Sequence, residues 1–518
     1  MKETKPLLIV VLIYFTTNFL LLLNKGIYWD EHTWNALLSD KRYAVFYFLL
    51  EHQKQYAQYY LSRFFYLFSN PIFVEKVIVF ISGLISCLLV YLIAKKICKL
   101  GISDSVFIST IFISVPLYMS KINGAIALYS VCMALFLLGA YLLLRGYIFL
   151  SLPLFFLSFF TNSLLVYFGG VILLYWWLNK NENNKNTKTY VVLFALPIIF
   201  WLVKMYFGQP YGFGAEYNRF ISGSQFLTPL LNDLWSGISY GLLWPIHVSL
   251  AILDRKIFSV IFGACIVWVY FLIKRLNKTE EVKSSVSQKG ILLSGSVAFL
   301  LGLLPYLAVG KAPFPFGFSM RHAFLLPLGF SLLLLGVVKF IVTERYQRNV
   351  QIVLVSLFMT FTIYSYFRLD MDWYRQIAMV EILRNANLTD TEIINGASTI
   401  VFRDNMEQFN WQNRKLSSSD YFGITRLAFH RQDLLAVNED YSLPYTYQIF
   451  ENIIAYPPFA YDKKIVHITL EQATNGDLVT VNNWIRIKLC EFICSPAEYT
   501  KTLTERIPTK LNVAVISN

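Results

Sequence analysis

Residues 6–23 read PLLIVVLIYFTTNFLLLL, an apolar run that contains no charged side chain. In lipid every backbone group must find its hydrogen-bond partner within its own segment, so a run of this length predicts a membrane-spanning helix. Lys2 and Lys5 precede the run, which would also suit a signal peptide. The run is long for the apolar core of such a peptide and no small-x-small cleavage motif follows it. We therefore interpret it as a retained first span.

Ten further runs of about 15 to 22 residues follow, each apolar enough and long enough to cross hydrocarbon as a helix. These runs stop at residue 367. The sequence therefore predicts an α-helical polytopic membrane protein in which residues 1–367 form a transmembrane domain of about eleven helices. The predicted spans are 6–23, 73–94, 103–119, 125–144, 147–162, 164–178, 189–207, 257–273, 290–310, 323–341 and 350–367.

The overall composition agrees with a membrane protein. Hydrophobic residues make up 56% of the chain and charged residues 15%, against about 25% charged residues in a soluble protein. The net charge of +13 suggests nucleic-acid binding at first sight, but many cations lie at the ends of apolar runs, as in Lys95-Lys96 and Lys274-Arg275. That distribution is typical of the cytoplasmic ends of spans. We expect membrane lipid, and no nucleic acid, among the partners.

The basic residues also orient the chain. With the N-terminus inside, five connections face the cytoplasm, and eleven spans place the C-terminus outside. Residues 227–253 are apolar enough to cross too, but a crossing there would move the basic segment 274–289 to the outside. We therefore favour a re-entrant or interfacial helix for 227–253. The five cytoplasmic connections, all containing Lys or Arg, are 95–102, 145–146, 179–188, 274–289 and 342–349.

Two external regions have compositions of their own. In the loop 24–72, Trp34–Leu50 and Tyr56–Phe68 mix apolar, aromatic and polar residues, which predicts two helices lying on the outer membrane surface. Residues 368–518 alternate strand-like and helix-like segments, which predicts a small extracytoplasmic α/β domain. Its predicted elements are a helix at Trp373–Asn385, strand-like runs at Ser398–Phe402, Lys464–Leu470, Leu478–Ile487 and Leu511–Ile516, and a helix at Ser495–Ile507.

Cys490 and Cys494 lie in this external domain, separated by four positions. Thiols that face an oxidising compartment are often oxidised, so we expect a disulfide between them. In a regular strand their Cα atoms would lie about 13 Å apart, so the bond requires the chain to bend there. The alternative is two buried thiols that pack in the domain.

An acidic pair follows the first span, in Tyr28-Trp29-Asp30-Glu31-His32. Its aromatic neighbours favour a position at the membrane interface, where partial desolvation raises the basicity of a carboxylate. Such a group can act as a general base toward a sugar hydroxyl, or it can hold a divalent metal. Oxygen ligands favour Mg²⁺ or Mn²⁺, with Asp30 as the metal-binding residue. The alternative is a solvated loop that happens to contain two acids.

The layout of the whole chain resembles the GT-C superfamily of multi-spanning glycosyltransferases that use polyprenyl-phosphate sugars. The shared features are a first span, an acidic pair after it, a long external loop with interfacial helices, many spans and an external C-terminal domain. A second fragment, Ser319-Met320-Arg321-His322-Ala323-Phe324-Leu325-Leu326-Pro327, resembles the Arg-Tyr-x-x-x-x-Pro start of a late span in many GT-C proteins. His322 stands where that family usually has Tyr.

The resemblance implies roles for individual residues. Asp30, with Glu31 beside it, would be the catalytic acidic pair. Arg321 would bind the donor phosphate together with Lys311, and Arg63 is a further candidate for phosphate contact. Arg321 and Arg63 have the alternative of reaching lipid head groups, as does Lys204 near the outer end of its span. The residues expected to contact substrate are His322, Lys204 and Trp29.

The implied function is that of an inverting hexosyltransferase. It would move a sugar such as glucose from polyprenyl (undecaprenyl) phosphate to a polysaccharide or lipid-linked glycan on the outer side of a bacterial cytoplasmic membrane. Size and loop layout resemble the O-antigen glucosyltransferases that modify lipopolysaccharide in the cell envelope. The alternatives are a transporter or flippase, or a polymerase or ligase, of lipid-linked polysaccharide intermediates. A transporter of that kind usually shows two similar halves, which this sequence lacks.

Overall fold

The computed structural model describes residues 4–179, 187–208, 227–275, 286–311, 313–314, 317–386, 397–431, 434–439, 464–473 and 479–516. The predicted cytoplasmic connections 179–188 and 274–289 lie mostly outside these ranges. Within them the chain is mainly helical, with one small sheet near the C-terminus. Eight of its helical stretches are long and apolar enough to cross a membrane. The protein is therefore a polytopic, multi-pass membrane protein, while the number of crossings stays a prediction.

The apolar helices form one bundle, and every span that we predict from the sequence contains a helix. Four of them are shorter than a full crossing: α6, α8, α9 and α15 have 10–17 residues. The helices of the bundle are α1 (Thr4–Leu23), α5 (Pro71–Leu92), α6 (Ile102–Ser114), α7 (Ala127–Leu144), α8 (Ile148–Ser158), α9 (Ser163–Asn179), α10 (Thr187–Tyr206), α13 (Lys256–Lys274), α14 (Gln288–Leu307), α15 (Leu326–Ile341) and α16 (Glu344–Asn385).

Helix α16 joins the bundle to the C-terminal domain. It runs without interruption for 42 residues, so the last predicted span, 350–367, and the predicted helix at Trp373–Asn385 are one element. The boundary that we place between residues 367 and 368 falls inside this helix. Glu344–Asn385 contains no Gly or Pro, the residues at which helices usually kink. We refer to the end of the bundle at which α16 enters the C-terminal domain as the domain end.

The segment between α10 and α13 contains α11 (Leu227–Ile238), a π-helical turn and α12 (Trp244–Ala251). Its residues Leu231–Asp254 are long and apolar enough to cross. However, Gly237, just before the π-helical turn, packs against Leu303 of α14. Trp244, just after the turn, packs against Phe361 of α16. Both neighbours lie in the part of their membrane-spanning segment that is nearer the domain end. The re-entrant or interfacial placement of 227–253 stays a prediction.

The C-terminal domain is built on a four-stranded sheet of order β2-β1-β3-β4. Strand β1 pairs in parallel with β2 and β3, and β4 closes the other edge antiparallel to β3. One face of the sheet buries Ile400 and Phe402 against the end of α16 and against α17. The elements are β1 (Ala397–Asp404), α17 (Ser418–Phe429), β2 (Leu435–Asn438), β3 (Lys464–Gln472), α18 (Val481–Ile493), α19 (Pro496–Arg506) and β4 (Thr509–Ile516).

One predicted strand is wrong. The run Leu478–Ile487 forms most of helix α18, and residue 478 itself lies outside the described ranges. The side chain of Thr480 accepts a hydrogen bond from the backbone N–H of Asn483 at 3.2 Å. This cap satisfies a backbone donor at the start of a helix and so stabilises the helical conformation. That stabilisation outweighs the preference of the following Val and Ile residues for a strand.

The loop 24–72 contains three helices, where the sequence suggests two. They are α2 (Glu31–Ser39), α3 (Tyr43–Glu51) and α4 (Tyr56–Phe65). The predicted first helix is divided because Lys41 has a positive φ of 58°. The second face of the sheet packs on this loop: Leu37 and Phe46 share a core with Val401. The loop is therefore part of the C-terminal domain's core, while Tyr60 and Phe64 remain exposed.

Candidate active site

The connection between α1 and α2 carries the acidic pair, and buried hydrogen bonds fix it at the domain end. Asn24 donates to Asp370 Oδ1 at 2.6 Å. The Tyr28 hydroxyl donates to the carbonyl of Leu369 at 2.8 Å. From the other side, Asn123 donates to the carbonyl of Tyr28 at 2.6 Å. The acidic pair is thus held between a loop of the bundle and the long helix α16.

Trp29 is held in an unusual backbone conformation by the C-terminal domain. Its φ is +53°, a value that costs a bulky residue conformational energy. Its backbone N–H donates to Asp420 Oδ1 at 3.0 Å, and the Arg414 guanidinium lies over its ring at 5.2 Å. Trp29 is buried. It therefore positions Asp30, and a direct role in substrate contact would require its side chain to be uncovered.

Asp30 is the N-cap residue of α2, yet its side chain makes no capping hydrogen bond. The residue is exposed, although protein surrounds it closely enough for desolvation to raise the pKa of its carboxyl group. The positive charge of Arg321 opposes this rise, and the negative charge of Asp420 adds to it. A carboxylate that solvent can reach and that protein encloses lies in a recess. Its raised pKa makes it a stronger base than an ordinary aspartate.

Glu31 points the other way, into the protein. It is 3% exposed, and its Oε2 accepts from the N–H of Tyr28 at 3.3 Å. Its Oε1 lies 3.9 Å from the buried ammonium of Lys76, which donates to Glu75 at 3.0 Å. Burial raises the pKa of Glu31 well above its ordinary value, and the charge of Glu75 adds to the rise. Glu31 ties α2 to α5, and the two acids of the pair have different surroundings.

Behind Asp30 lies a closed network of charges in the C-terminal domain. The Arg414 guanidinium bridges two buried carboxylates, at 2.8 Å from Asp372 and 2.9 Å from Asp420. Burial alone would raise the pKa of Asp420, but Arg414 and His32 outweigh burial and lower it to about 2. Burial would lower the pKa of Arg414, yet the two carboxylates raise it. The shifts of Asp420 and Arg414 both favour their charged forms, and the hydrogen bonds of the network compensate for the loss of water.

His32 completes the network from the side of α2. Its Nε2 lies 2.7 Å from Gln376 Oε1, and the amide of Gln376 donates to Asp372 at 2.9 Å. This orientation of the amide makes His32 the donor. Burial lowers the pKa of His32, and the negative charge of Asp420 opposes this effect. A Cβ atom at Gly423 would lie 2.2 Å from the ring, so only glycine fits on α17 at this contact.

Arg321 and Lys311 lie in the connection between α14 and α15, and Tyr306 links them. The hydroxyl of Tyr306 donates to the carbonyl of Arg321 at 3.5 Å, and its own carbonyl accepts from the N–H of Lys311 at 2.9 Å. Arg321 acts on the pKa of Asp30. Burial lowers the pKa of Lys311 to about 8, and the positive charge of Arg321 adds to the effect. The charge of Arg321 thus acts on both Asp30 and Lys311.

An apolar cleft begins beside Arg321 and extends between the helices. Its empty space is ≈ 540 Å³, including the part open to solvent. Lys121, which from the sequence alone looks like a surface anchor, lines this cleft and is 7% exposed. It donates to Asn18 at 2.9 Å, and burial lowers its pKa to about 8. The apolar wall includes Tyr14, Val79, Phe112, Ile113, Phe324 and Pro327.

The remaining predicted residues have other surroundings. His322 lies with its ring 5.4 Å from that of Tyr306, next to the two cations. Lys204 donates to Asn162 at 2.9 Å. The Arg63 guanidinium lies over the ring of Tyr43 at 4.4 Å. His322 therefore lies against Tyr306, beside Arg321 in the chain, while the described contacts of Lys204 and Arg63 are with other parts of the bundle and loop.

The carboxylates around Asp30 have protein partners of their own. Among the described residues, no three His, Cys, Asp or Glu side chains converge to hold a metal ion. Asp420 is engaged by Arg414 and the N–H of Trp29, and Glu31 faces Lys76. Asp30 alone would hold Mg²⁺ or Mn²⁺ only together with oxygens of a substrate.

The structure also pairs Cys490 with Cys494, the residues for which the sequence suggests a disulfide, with their Cα atoms 4.7 Å apart. Cys490 is in the last turn of α18 and accepts the backbone hydrogen bond of Cys494 at 2.9 Å. Because this turn is helical, it provides the bend that a regular strand would lack.

Sequence reasoning misses the closed network because its members are far apart along the chain. Trp29 and Asp420 are 391 positions apart, and Asp372 and Arg414 are 42 apart. The sequence signal for this network is Asp370-Met371-Asp372, two acids directly after a predicted span.

Comparisons of the chain with protein-family models, with curated proteins and with solved structures find no match.

Proposed function

We propose that this chain is a glycosyltransferase of the GT-C type, which transfers a hexose from a polyprenyl-phosphate donor to a glycan acceptor. One observation carries the proposal: Asp30, an open carboxylate with a raised pKa, feels the positive charge of Arg321, which also acts on Lys311, at the domain end of a membrane bundle. A base beside two cations suits a reaction in which a hydroxyl loses its proton and a phosphate leaves.

The donor would lie with its phosphate on Arg321 and Lys311. Arg321 offers a planar set of donors that matches phosphate oxygens. The apolar cleft beside Phe324 and Pro327 would receive the first part of the prenyl chain, and Lys121 adds a cation at this cleft. The rest of the chain would extend between the helices into lipid.

The transfer would proceed in one step at the anomeric carbon. Asp30 takes the proton of an acceptor hydroxyl, and the hydroxyl oxygen forms a bond to the anomeric carbon on the face opposite the phosphate. The bond between that carbon and the phosphate oxygen breaks, and its electron pair leaves with polyprenyl phosphate. The configuration at the anomeric carbon is inverted. Arg321 and Lys311 stabilise the charge that develops on the phosphate.

The C-terminal domain would have two roles in this reaction. Asp420 and Arg414 hold Trp29 and so fix the direction of Asp30, which preorganises the base. The domain would also meet a large polysaccharide or lipid-linked acceptor that approaches from the side of water. We place this face on the outer, periplasmic side of a bacterial cytoplasmic membrane, with the N-terminus inside.

Mass spectrometry of surface glycans tests the proposal. Polysaccharide and lipopolysaccharide are isolated from bacterial cells that express the chain and from matched cells with an empty vector. A mass increase of one hexose per modified unit is expected only with the chain. Identical glycans, despite normal amounts of the protein in the membrane, would refute the transferase and favour a transporter or a polymerase of lipid-linked intermediates.

A further inference from the structure

Helix α18 has two apolar faces, and only one of them is covered by protein. Ile487 and Cys490 are buried against the rest of the domain. The second face is a stripe of four apolar residues at helical spacing. The exposed fractions are 43% for Ile485, 56% for Leu489, 53% for Phe492 and 79% for Ile493. A stripe of this kind on an extramembrane domain requires an occupant.

The position of α18 along the bundle identifies its surroundings. Lys488 donates to the carbonyl of Leu23, the last residue of α1, at 2.5 Å. The ammonium of Lys25 lies 5.0 Å from the ring of Phe492 and 3.5 Å from the carboxylate of Glu491. Helix α18 therefore lies level with the end of a membrane-spanning helix, at the height of a membrane interface.

The direction of the stripe follows from helical geometry. At about 100° per residue, Leu489 is turned by about 160° from the buried Ile487 and by about 100° from Lys488, which contacts α1. The stripe therefore faces away from the domain and sideways from the bundle. On α1 itself, Phe15 and Phe19 are 46% and 38% exposed and lead up to the same end. The apolar stripe thus lies beside the end of a membrane-spanning helix that itself carries exposed aromatic side chains.

We infer that this face of α18 docks on the lipid bilayer that surrounds the bundle and anchors the C-terminal domain to its surface. Interfacial helices bury their apolar side chains about 5–10 Å into the boundary between head groups and acyl chains. Lys25 and the exposed Arg486 flank the stripe, where their charges meet lipid phosphates. The disulfide between Cys490 and Cys494 ties the last turn and keeps Phe492 and Ile493 directed at the lipid.

A second copy of the chain fits this face less well than lipid does. A stable protein interface buries roughly 800 Å² on each partner, and four side chains on one short helix provide less than that. Cations beside the stripe also suit lipid phosphates. This anchor is independent of the reaction proposed above, because it uses no residue assigned to that reaction.

The experiment measures the lipid exposure of one position on the stripe. A polarity-sensitive fluorophore is attached to Ile485→Cys, in the intact, non-reduced protein reconstituted in vesicles of phosphatidylethanolamine and phosphatidylglycerol. The matched control is Lys501→Cys on α19, whose side chain is 76% exposed. The parent protein, labelled in parallel, gives the background from its native thiols. Half of the vesicles contain lipids with brominated acyl chains, which quench only fluorophores in contact with the acyl region.

We expect the label at position 485 to emit at shorter wavelength than the label at 501 and to lose most of its emission in brominated vesicles. The label at 501 should keep its emission. An unquenched label at 485, with normal elution of the variant in size exclusion, would show that the face meets water and overturn the inference. A blue shift that disappears when the vesicles hold one copy each would assign the face to a second copy and also overturn it.

Discussion

Two sets of charges meet at the domain end, and they differ in how their pKa values move. In the closed network, Arg414 and His32 lower the pKa of Asp420 to about 2 against the effect of burial. In the open set, which consists of Asp30 and Lys311, desolvation has the largest effect. It raises the pKa of Asp30 and lowers that of Lys311 to about 8. The first set is held in its charged form, and the second is shifted toward neutrality.

This difference separates charges that hold the structure from charges that can act on a substrate. A carboxylate already stabilised by a guanidinium is a weak base, because protonation would break strong hydrogen bonds. A carboxylate with a raised pKa gains by accepting a proton, and a desolvated ammonium gains by meeting a phosphate. Under the proposed function, Asp30 and Lys311 take part in the chemistry, and Asp420 and Arg414 support the structure.

The largest effect is expected from Asp30→Asn, which removes the base and keeps the shape. Transfer should fall by roughly 10²–10⁴-fold, while thermal unfolding of the purified protein changes little because the side chain is exposed. The assay measures sugar transfer from a polyprenyl-phosphate hexose in detergent. Asp254→Asn, an exposed acid elsewhere at the domain end, should transfer like the parent. Full activity of Asp30→Asn would exclude the mechanism.

Arg414→Ala should mainly change stability. It leaves Asp372 and Asp420 buried without their cation, which typically costs about 3–5 kcal/mol. The free energy of unfolding, followed by tryptophan fluorescence in detergent, should fall accordingly. The control is Arg403→Ala, which removes an exposed ion pair with Glu439 at 3.6 Å and should cost about 1 kcal/mol or less. Equal, small losses in both variants would refute a supporting role for the closed network.

Arg321 should affect the donor more than the acceptor. A hydrogen bond to a charged group contributes about 1.5–3 kcal/mol, so Arg321→Ala should raise the KM for the donor by roughly 10–100-fold. Arg321→Lys keeps the charge and loses the planar donor set, so its KM should lie between those of the parent and the alanine variant. Donor saturation curves that coincide for all three proteins would leave Arg321 as a lipid contact.

The smallest effect concerns stability in acid. The pKa of Asp420 in the folded protein, about 2, lies below its ordinary value of 3.8. The charged carboxylate therefore contributes roughly 2 kcal/mol above pH 3.8, and this contribution is lost as the pH falls toward 2. Asp420→Asn should be less stable than the parent near neutral pH, with a difference that narrows in acid. A difference that stays constant down to pH 2 would contradict this assignment.

The sequence predicts the membrane bundle well, since an apolar run of about twenty residues has few alternatives to a helix in lipid. It also indicates Asp30, because an acidic pair directly after a span is conspicuous. It does not separate Asp30 from Glu31, because their different surroundings depend on Lys76 and Arg321, far along the chain. Local patterns cannot show such pairings, and the apolar run after Thr480 suits a strand as well as a helix.

Helix α16 has a consequence for how a substrate reaches the recess. At about 1.5 Å per residue, its 42 residues form a rod of roughly 63 Å, and no Gly or Pro offers a hinge along it. Because the rod crosses from the bundle into the core of the C-terminal domain, the two parts turn together as one rigid body. Domain closure around a hinge is therefore unavailable to this protein. A substrate therefore has to reach Asp30 without a change in the angle between the bundle and the C-terminal domain.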